Sequence, residues 1–374
     1  MIGRGVVVAG AVAGATLASP DVGVAETWRG TAEAGLEYDS NVERVEAQRD
    51  PQAAPMLRAR AGADVRGGRA RRVRWSLAFT GGARAAVAGA IDTEDAMTGS
   101  VDATALRRSN DQLALGARAT HYEVFPVDGA TSARAFASSG ADVSAALVGE
   151  RGRTATVAVG ARRLAYKPDP DFDWTGATLA VTVAQPLWRG ADERAVDLAG
   201  GYRVETRGYR GLAYRNRCAP AEDFDITCVV PGERARDDLV QVASVRLGYT
   251  GTRAASLVYE VTVDDSTSFG SSYLRQRLSA SVTTPLPARV FATVTVTGQL
   301  DRYPEPQLVA RDIANQTFTS LDDEARSSAA VRLGRGFGDG WQAELRWSYQ
   351  VSALGDPAAD FQRQLIYAGM AWER

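Results

Sequence analysis

Near its C-terminus the chain contains a segment in which apolar and polar residues alternate without a break. From Trp341 to Ser352 the sequence reads Trp-Gln-Ala-Glu-Leu-Arg-Trp-Ser-Tyr-Gln-Val-Ser. Successive side chains of a β-strand point to opposite faces, so the apolar residues of this segment share one face and the polar residues the other. The same alternation recurs along almost the whole chain. It predicts an all-β fold, a closed barrel whose apolar face meets lipid and whose polar face is wet.

The alternating segments predict about sixteen strands, within a range of roughly 14 to 18. They cover residues 27–39, 55–66, 71–86, 96–107, 111–124, 134–149, 153–166, 173–187, 194–207, 238–250, 254–265, 272–285, 288–303, 323–335, 341–353 and 361–373. Most exceed the roughly 9–11 residues that a tilted strand needs to cross a bilayer. Every second connection is short, and the others include the long segments 40–54, 208–237 and 304–322. Short periplasmic turns and longer extracellular loops are typical of a transmembrane antiparallel up-and-down β-barrel.

Composition is compatible with this fold. Charged residues make up 24% of the chain and the mean hydropathy is −0.20, as expected when only alternate residues face lipid. A net charge of −2 gives no indication of a nucleic-acid partner. Residues 1–25 have a basic start, a short apolar run and small residues before Glu26. They predict a cleaved signal peptide, with residues 26–374 as the barrel.

Two cysteines, Cys218 and Cys228, lie in a segment rich in Pro, Asp and Arg. Export to an oxidising compartment favours a disulfide between them. A ring of this size stabilises by roughly 2–3 kcal/mol, chiefly by restricting a loop. The sequence therefore predicts a disulfide-restricted extracellular loop over 208–237.

The polar face of the predicted strands contains many charged residues. The candidates for lining the lumen are Arg58, Arg60, Arg66, Arg72, Arg74, Arg84, Arg275, Arg277, Arg346, Asp64, Glu260 and Glu344. We expect an ion pair between Asp64 and Arg74 across the turn that joins the second and third strands. Two interpretations remain open: solvated arginines that are mostly paired with acids, or a basic wall that guides anions or acidic polymers.

Aromatic residues occur near the ends of the predicted strands, as the interfacial girdles of a membrane barrel require. The candidates for the interface are Trp28, Tyr38, Trp188, Trp341 and Trp372, and Phe125, Trp174 and Tyr303 have similar positions. The last strand places Ile366, Met370 and Trp372 on one face close to the end of the chain. It resembles the C-terminal strand that outer-membrane proteins present to their insertion machinery.

The sequence gives little indication of enzymatic chemistry, and we expect neither an enzyme nor a cofactor. His121 is the one histidine, and it lies near the end of a strand at the predicted extracellular rim. We find no nucleophile elbow, no paired zinc ligands and no phosphate-binding glycine loop. Two acidic loop clusters, 169–173 and 322–324, are either solvated loop tips or oxygen ligands for Ca²⁺.

The stretch Tyr38-Asp39-Ser40-Asn41-Val42 resembles the segment that opens certain Gram-negative barrels related to surface-lipoprotein assembly modifiers. Those relatives often have an N-terminal helical repeat domain, for which we find no counterpart here. The resemblance implies an outer-membrane location. Three functions are compatible with the sequence: a porin-like channel for small polar solutes, an export conduit for a polysaccharide or other polymer that works with periplasmic partners, and a structural or adhesive barrel that acts through its disulfide-restricted loop.

Overall fold

The computed structural model describes residues 27–41, 52–68, 73–87, 95–126, 135–167, 169–190, 192, 194–218, 228–305, 327–352 and 361–374. They form sixteen antiparallel strands and two short 3-10 turns, Glu150–Gly152 and Pro170–Phe172. The strands are β1 (Thr27–Asp39), β2 (Ala54–Gly68), β3 (Arg74–Ala86), β4 (Ala96–Arg108), β5 (Leu113–Pro126), β6 (Phe136–Val148), β7 (Thr154–Tyr166), β8 (Trp174–Arg189), β9 (Ala195–Asn216), β10 (Val229–Thr250), β11 (Ala254–Ser266), β12 (Tyr273–Leu286), β13 (Val290–Arg302), β14 (Ser327–Gly338), β15 (Trp341–Ser352) and β16 (Phe361–Glu373).

Each strand pairs with its neighbours in the sequence, and the first strand closes the sheet by pairing with the last. At this seam Thr31 lies opposite Glu373, and Asp39 lies opposite Leu365. Closure leaves no free edge, so every strand has a hydrogen-bonded partner on both sides. The predicted barrel and its strand number are confirmed.

The connections differ in length at the two ends of the barrel. One end has turns of two to five residues, and the other has connections of six residues or more. The tightest turn, between β14 and β15, consists of Asp339 and Gly340, with φ of 51° and 83°. Two positive φ values are what a two-residue hairpin turn of type I′ requires. A side chain at Gly340 would also collide with the carbonyl oxygen of Glu373, 1.9 Å from an added Cβ.

The predicted loop over 208–237 is wrong in part, because β9 and β10 continue through most of it. Each strand is 22 residues long, and irregular pairing lies between Pro231 and Asp237. Neighbouring connections support this extension: Arg210 N donates to the carbonyl of Asp173 at 2.9 Å, and Phe269 N donates to that of Tyr214 at 3.0 Å. The paired hairpin therefore extends beyond the other strands at the end with the long connections.

Some predictions concern residues outside the described ranges: the signal peptide over 1–25, the acidic cluster at 322–324 and Arg72. Within the described ranges, no helix has the length and apolar character needed to cross a membrane.

Candidate functional site: the inner wall of the barrel

The two faces of the barrel wall differ in their contacts. Glu37 of β1 contacts Arg84 of β3 at 2.8 Å, and Arg346 of β15 contacts Glu33 of β1 at 2.9 Å. Each pair reaches across an intervening strand. Because side chains converge on the concave side of a closed barrel and diverge on the convex side, these polar residues lie on the inner face. Alternate positions have exposed apolar side chains such as Leu300, whose exposed fraction is 67%.

Asp39 is the centre of a buried ion cluster at the seam between β1 and β16. Its carboxylate accepts hydrogen bonds from Arg363 Nε and Nη2, at 2.9 and 2.5 Å, and from Arg84. The backbone N–H of Asn41 donates to the same carboxylate at 3.0 Å, and the Asn41 amide donates to the carbonyl of Gln362 at 3.1 Å. The side chains of Asp39 and Arg363 are 0% and 1% exposed. The cluster therefore holds the first strand against the last.

Further ion pairs continue along the inner wall on both sides of the seam. Arg58 of β2 contacts Glu37 at 3.2 Å. On the other side, Glu344 of β15 contacts Arg346 at 2.7 Å and also contacts Arg332 of β14. Because opposite charges alternate along this network, the arginines of the sector are largely neutralised within the wall.

A second group of charges lies on the inner face of β9 to β11. Arg207 contacts Glu205 at 2.6 Å, and its Nη1 is 3.9 Å from Asp264 Oδ2. Arg236 makes two hydrogen bonds to Asp238, at 2.9 and 2.6 Å. The three carboxylates are at most 4% exposed. This sector, like the seam, combines buried acids with arginines.

Arginines of this sector also lie over aromatic rings, an attractive arrangement for a cation. Arg275 is held in place by two hydrogen bonds to Asp301, both 2.9 Å. The distances from the guanidinium to the ring centroid are 4.8 Å for Arg207 and Trp174, 4.3 Å for Arg236 and Tyr209, and 5.0 Å for Arg275 and Tyr273. The rings and the carboxylates together fix the positions of these guanidinium groups.

The expectation that the inner face is polar throughout is wrong at the long-connection end of β5 to β7. Val124, Phe136, Leu164 and Tyr166 point inward there and form a buried apolar cluster. Trp174 packs against the cluster instead of facing outward as its place near a strand end suggested. The outward positions beside the cluster are Glu123, Phe125, Ala137 and Ala165, so the outer face at this end is mixed in polarity. We interpret this part of the wall as a sheet with a small core of its own.

The predicted lining residues occupy inner-face positions wherever the structure describes them. They are Arg58, Arg60, Arg66, Arg74, Arg84, Arg275, Arg277, Arg346, Asp64, Glu260 and Glu344. Their role in a solute path stays a prediction. Arg58, Arg60 and Arg84 also border a small open recess of about 60 Å³ on the inner side of β1 to β5.

The predicted ion pair between Asp64 and Arg74 is absent. Asp64 lies opposite Ala78 and contacts Arg66 at 2.6 Å, while Arg74 lies opposite Gly68. The residues of the turn were expected to bring the two charges together, but the observed register separates them. Two residues further along a strand return to the same face, so Arg66 is the nearer partner.

The predicted interfacial aromatics lie on the outer face. Trp28, Tyr38, Trp188 and Trp341 are between 46% and 64% exposed, and Trp372 lies opposite Trp341. Apart from Tyr38 they lie at the short-turn end, where the outward Trp75 joins them. A band of tryptophans at one level is typical of a bilayer interface. The role of these residues in the membrane stays a prediction.

The predicted disulfide between Cys218 and Cys228 is present and joins the ends of β9 and β10, with their Cα atoms 5.1 Å apart. Arg217 N donates to the carbonyl of Cys228 at 3.0 Å. The disulfide therefore closes the tip of the extended hairpin.

His121 lies on the outer face, with Nδ1 2.9 Å from Ser139 Oγ and Nε2 3.6 Å from Glu123. The three residue types are those of a hydrolytic triad, but Glu123 also contacts Lys167. Ser139 lies in the middle of the sheet, between paired strands on both sides. The backbone N–H groups beside it belong to the sheet and provide no oxyanion hole. We interpret the arrangement as a hydrogen-bonded surface cluster.

The carboxylates of the 169–173 connection have structural contacts. Asp169 Oδ1 accepts from the N–H of Asp171 at 3.0 Å, and Asp173 Oδ1 accepts from that of Tyr166 at 2.6 Å. Asp173 also contacts Arg210 at 3.4 Å. Among the described residues, no group of three or more His, Cys, Asp or Glu side chains is arranged to hold a metal ion.

Several inner ion pairs have a signal in the sequence. An acid and an arginine two positions apart share one face of a strand, and in the structure such residues bond to each other. Examples are Asp64 with Arg66, Glu205 with Arg207, Arg236 with Asp238, and Glu344 with Arg346. Asp39 and Arg363 have no such signal, because 324 positions separate them in the chain.

No protein-family model matches the sequence, and no curated protein is significantly similar to it. Among solved structures, OprB of Pseudomonas putida is similar over 93% of this chain and 94% of its own, with 11% identity and a TM-score of 0.50. OmpT, an outer membrane protein of Vibrio cholerae, has 10% identity over 94% of this chain and 99% of its own, with a TM-score of 0.42. A mutant of the Rh. blastica porin has 8% identity over 94% and 100%, with a TM-score of 0.40. The likeness to OprB is one of fold, the sixteen-stranded barrel of porin-like outer-membrane proteins.

Proposed function

We propose that this barrel is a channel of a bacterial outer membrane through which small polar solutes diffuse. The observation that supports it most is a closed sixteen-stranded wall with ion-paired polar side chains inside and large apolar side chains outside. Barrels of sixteen strands are wide enough to enclose an aqueous channel. The outer apolar side chains, exposed in the isolated chain, then lie against lipid hydrocarbon.

The pairing of inner charges bears on the kind of solute. Arginines of the seam and of β9 to β13 contact carboxylates, so their fields largely cancel a few ångströms into the lumen. A wall of paired charges is hydrated and discriminates weakly between cations and anions. We therefore propose a weakly selective channel for neutral and charged solutes of small size.

Two further proposals follow from a location in the outer membrane. Residues 1–25 serve as a signal peptide that directs export. The outward side chains of β16, Ile366 and Met370, are 41% and 42% exposed, and this strand presents them to the insertion machinery of the outer membrane.

Two other functions have less support. Export of an acidic polymer was suggested by clustered arginines, but Arg58, Arg84 and Arg346 each contact a carboxylate. These pairs leave no continuous basic track among them. An adhesive role was suggested by a restricted loop, and most of that segment is instead a paired hairpin.

The experiment that tests the proposal is liposome swelling with the mature chain, residues 26–374, refolded into vesicles. We expect swelling with small sugars and a rate that falls steeply as the sugar becomes larger. Heat-modifiable migration on gels would show in the same sample that the barrel is folded and inserted. A folded and inserted protein that admits no sugar of any size would contradict the proposal. A barrel that requires export partners to open would give the same negative result, and the channel proposal would fail in either case.

A further inference from the structure

The short-turn end of the barrel has exposed arginines on its outer rim. On β4, Arg107 lies opposite the outward Leu115, and on β14 Arg335 lies opposite the outward Ala343. Others lie in or beside the turns that precede β7, β11 and β13. All of these side chains are exposed. We call them the basic ring, which consists of Arg107, Arg153, Arg253, Arg289 and Arg335.

The arginines of the basic ring have no ion-pair partner in the part of the chain that the structure describes. Most acids of this end already contact other arginines. The pairs are Asp64 with Arg66, Asp111 with Arg108, Asp192 with Arg194, Asp197 with Arg189, and Glu373 with Arg29. Two further acids, Glu150 and Asp339, are exposed, and they offset only part of the ring's charge. The rim at this end therefore has an excess of positive charge.

The basic ring lies just beyond the band of outward tryptophans. Arg107 is the next outward position after Ala105, which lies opposite Trp75. The guanidinium of Arg335 is 5.7 Å from the centre of the Phe337 ring, two positions nearer the turn, so its charge is directed toward the end of the barrel. Tryptophans mark the boundary of the hydrocarbon, and long cationic side chains beside it extend to the headgroups. The charges of the ring therefore lie at the level of the lipid headgroups.

The outer face at the long-connection end has charges of both signs. On β10 and β11 the exposed outward residues near the long connections are the acids Asp237 and Asp265. On β7 and β13 they are the arginines Arg163 and Arg302. The arginines at the tip of the extended hairpin lie beyond the level at which the other strands end. At headgroup level, the excess of unpaired arginines is therefore a feature of the short-turn end.

We propose that the basic ring binds the phosphate groups of anionic phospholipids in the leaflet at the short-turn end and so enriches these lipids around the barrel. Guanidinium groups form charge-assisted hydrogen bonds with phosphate oxygens, and an anionic headgroup has no cation of its own that competes for them. The members of the ring are spread from β4 to β14. A layer of lipid meets all of them, whereas a docked acidic protein covers only adjacent turns. The inference rests on the membrane location proposed above.

The test measures which lipids contact the outward tryptophans of the mature chain, residues 26–374, folded in vesicles. Phosphatidylglycerol or phosphatidylcholine with the same brominated acyl chains is mixed into unbrominated phosphatidylcholine. Quenching of tryptophan fluorescence then gives the binding constant of the first lipid relative to the second. The test variant is the triple substitution Arg107→Gln, Arg253→Gln and Arg335→Gln. The matched control removes three exposed arginines of the extended hairpin, by Arg215→Gln, Arg217→Gln and Arg234→Gln.

Each arginine should favour an anionic over a zwitterionic lipid at its own position by a factor of about five. The original chain and the control should therefore prefer phosphatidylglycerol, and the test variant should lose about three fifths of that preference. Equal binding of both lipids by the original chain, or equal loss in the test variant and the control, would overturn the proposal. Quenching by brominated phosphatidylcholine reports insertion on its own. Absence of quenching by either lipid would instead refute the membrane location on which the inference rests.

Discussion

Removal of the Asp39 carboxylate tests how the barrel is closed. Asp39→Asn keeps the shape of the side chain but removes the charge that faces Arg84 and Arg363. The side chains of Asp39, Arg363 and Arg84 are 0%, 1% and 4% exposed, so water cannot readily replace the lost partner. Breaking a buried ion pair by removing one member costs about 3–5 kcal/mol. We expect the free energy of unfolding to fall by that amount.

The assay is urea unfolding of the chain refolded into vesicles, followed by tryptophan fluorescence. The matched control is Asp102→Asn, since Asp102 and Arg118 also pair across neighbouring inner positions but are 36% and 34% exposed. An exposed pair contributes less than about 1 kcal/mol, so the control should unfold almost like the original chain. If Asp39→Asn loses no more stability than the control, the seam cluster does not hold the barrel closed.

Three further predictions follow from the inner wall, the outer wall and the hairpin. Asp301→Asn leaves Arg275 without its carboxylate, so the reversal potential in a salt gradient should shift toward anion selectivity. Arg275→Gln should shift it toward cation selectivity. Identical shifts in the two variants would contradict the proposed position of these residues in the lumen. Val181→Arg, on the outer face, should lower the free energy of unfolding by about 2–4 kcal/mol. Thr182→Arg, one residue later and facing inward, should lower it by less than about 1 kcal/mol in a hydrated lumen. Similar costs in urea unfolding would mean that the two faces are misassigned. Reduction of the disulfide at Cys218 should expose the hairpin tip to added protease without changing barrel stability, and an unchanged cleavage rate would show that the pairing of the strands alone protects the tip.

The strands could be predicted from the sequence because a period of two is a local property. Thr27–Asp39 and Phe361–Glu373 have the predicted bounds. A membrane barrel needs an apolar outer face and a polar inner face on each strand, and each segment shows this alternation on its own. The number of strands follows from counting such segments.

The extension of β9 and β10 could not be predicted in the same way. Its sequence contains Pro231 and many charged residues, which are typical of a loop. Backbone bonds from the two neighbouring connections hold the extension, for example from Phe269 to Tyr214. These contacts join segments that lie far apart in the sequence, so no local pattern indicates them.

The seam cluster and the inward apolar cluster of β5 to β7 were not predicted, for different reasons. Asp39 and Arg363 meet only because the barrel closes, and nothing near either residue in the sequence indicates the other. The inward apolar cluster is visible in the sequence, since Tyr122 and Val124 continue the alternate positions of Arg118, and Leu164 and Tyr166 continue those of Arg162. The pattern alone does not show which face is inside. Because the inner face of each strand was expected to be polar along its full length, the apolar inner positions at the end of β5 to β7 were not predicted.

The measurement that tests the central claim most directly is single-channel conductance of residues 26–374 in a planar bilayer. A barrel with a wet, charge-balanced lumen predicts discrete and steady openings with little preference between cations and anions. Insertion of folded protein, verified in the same preparation by heat-modifiable migration on a gel, without any conductance steps would contradict a water-filled channel.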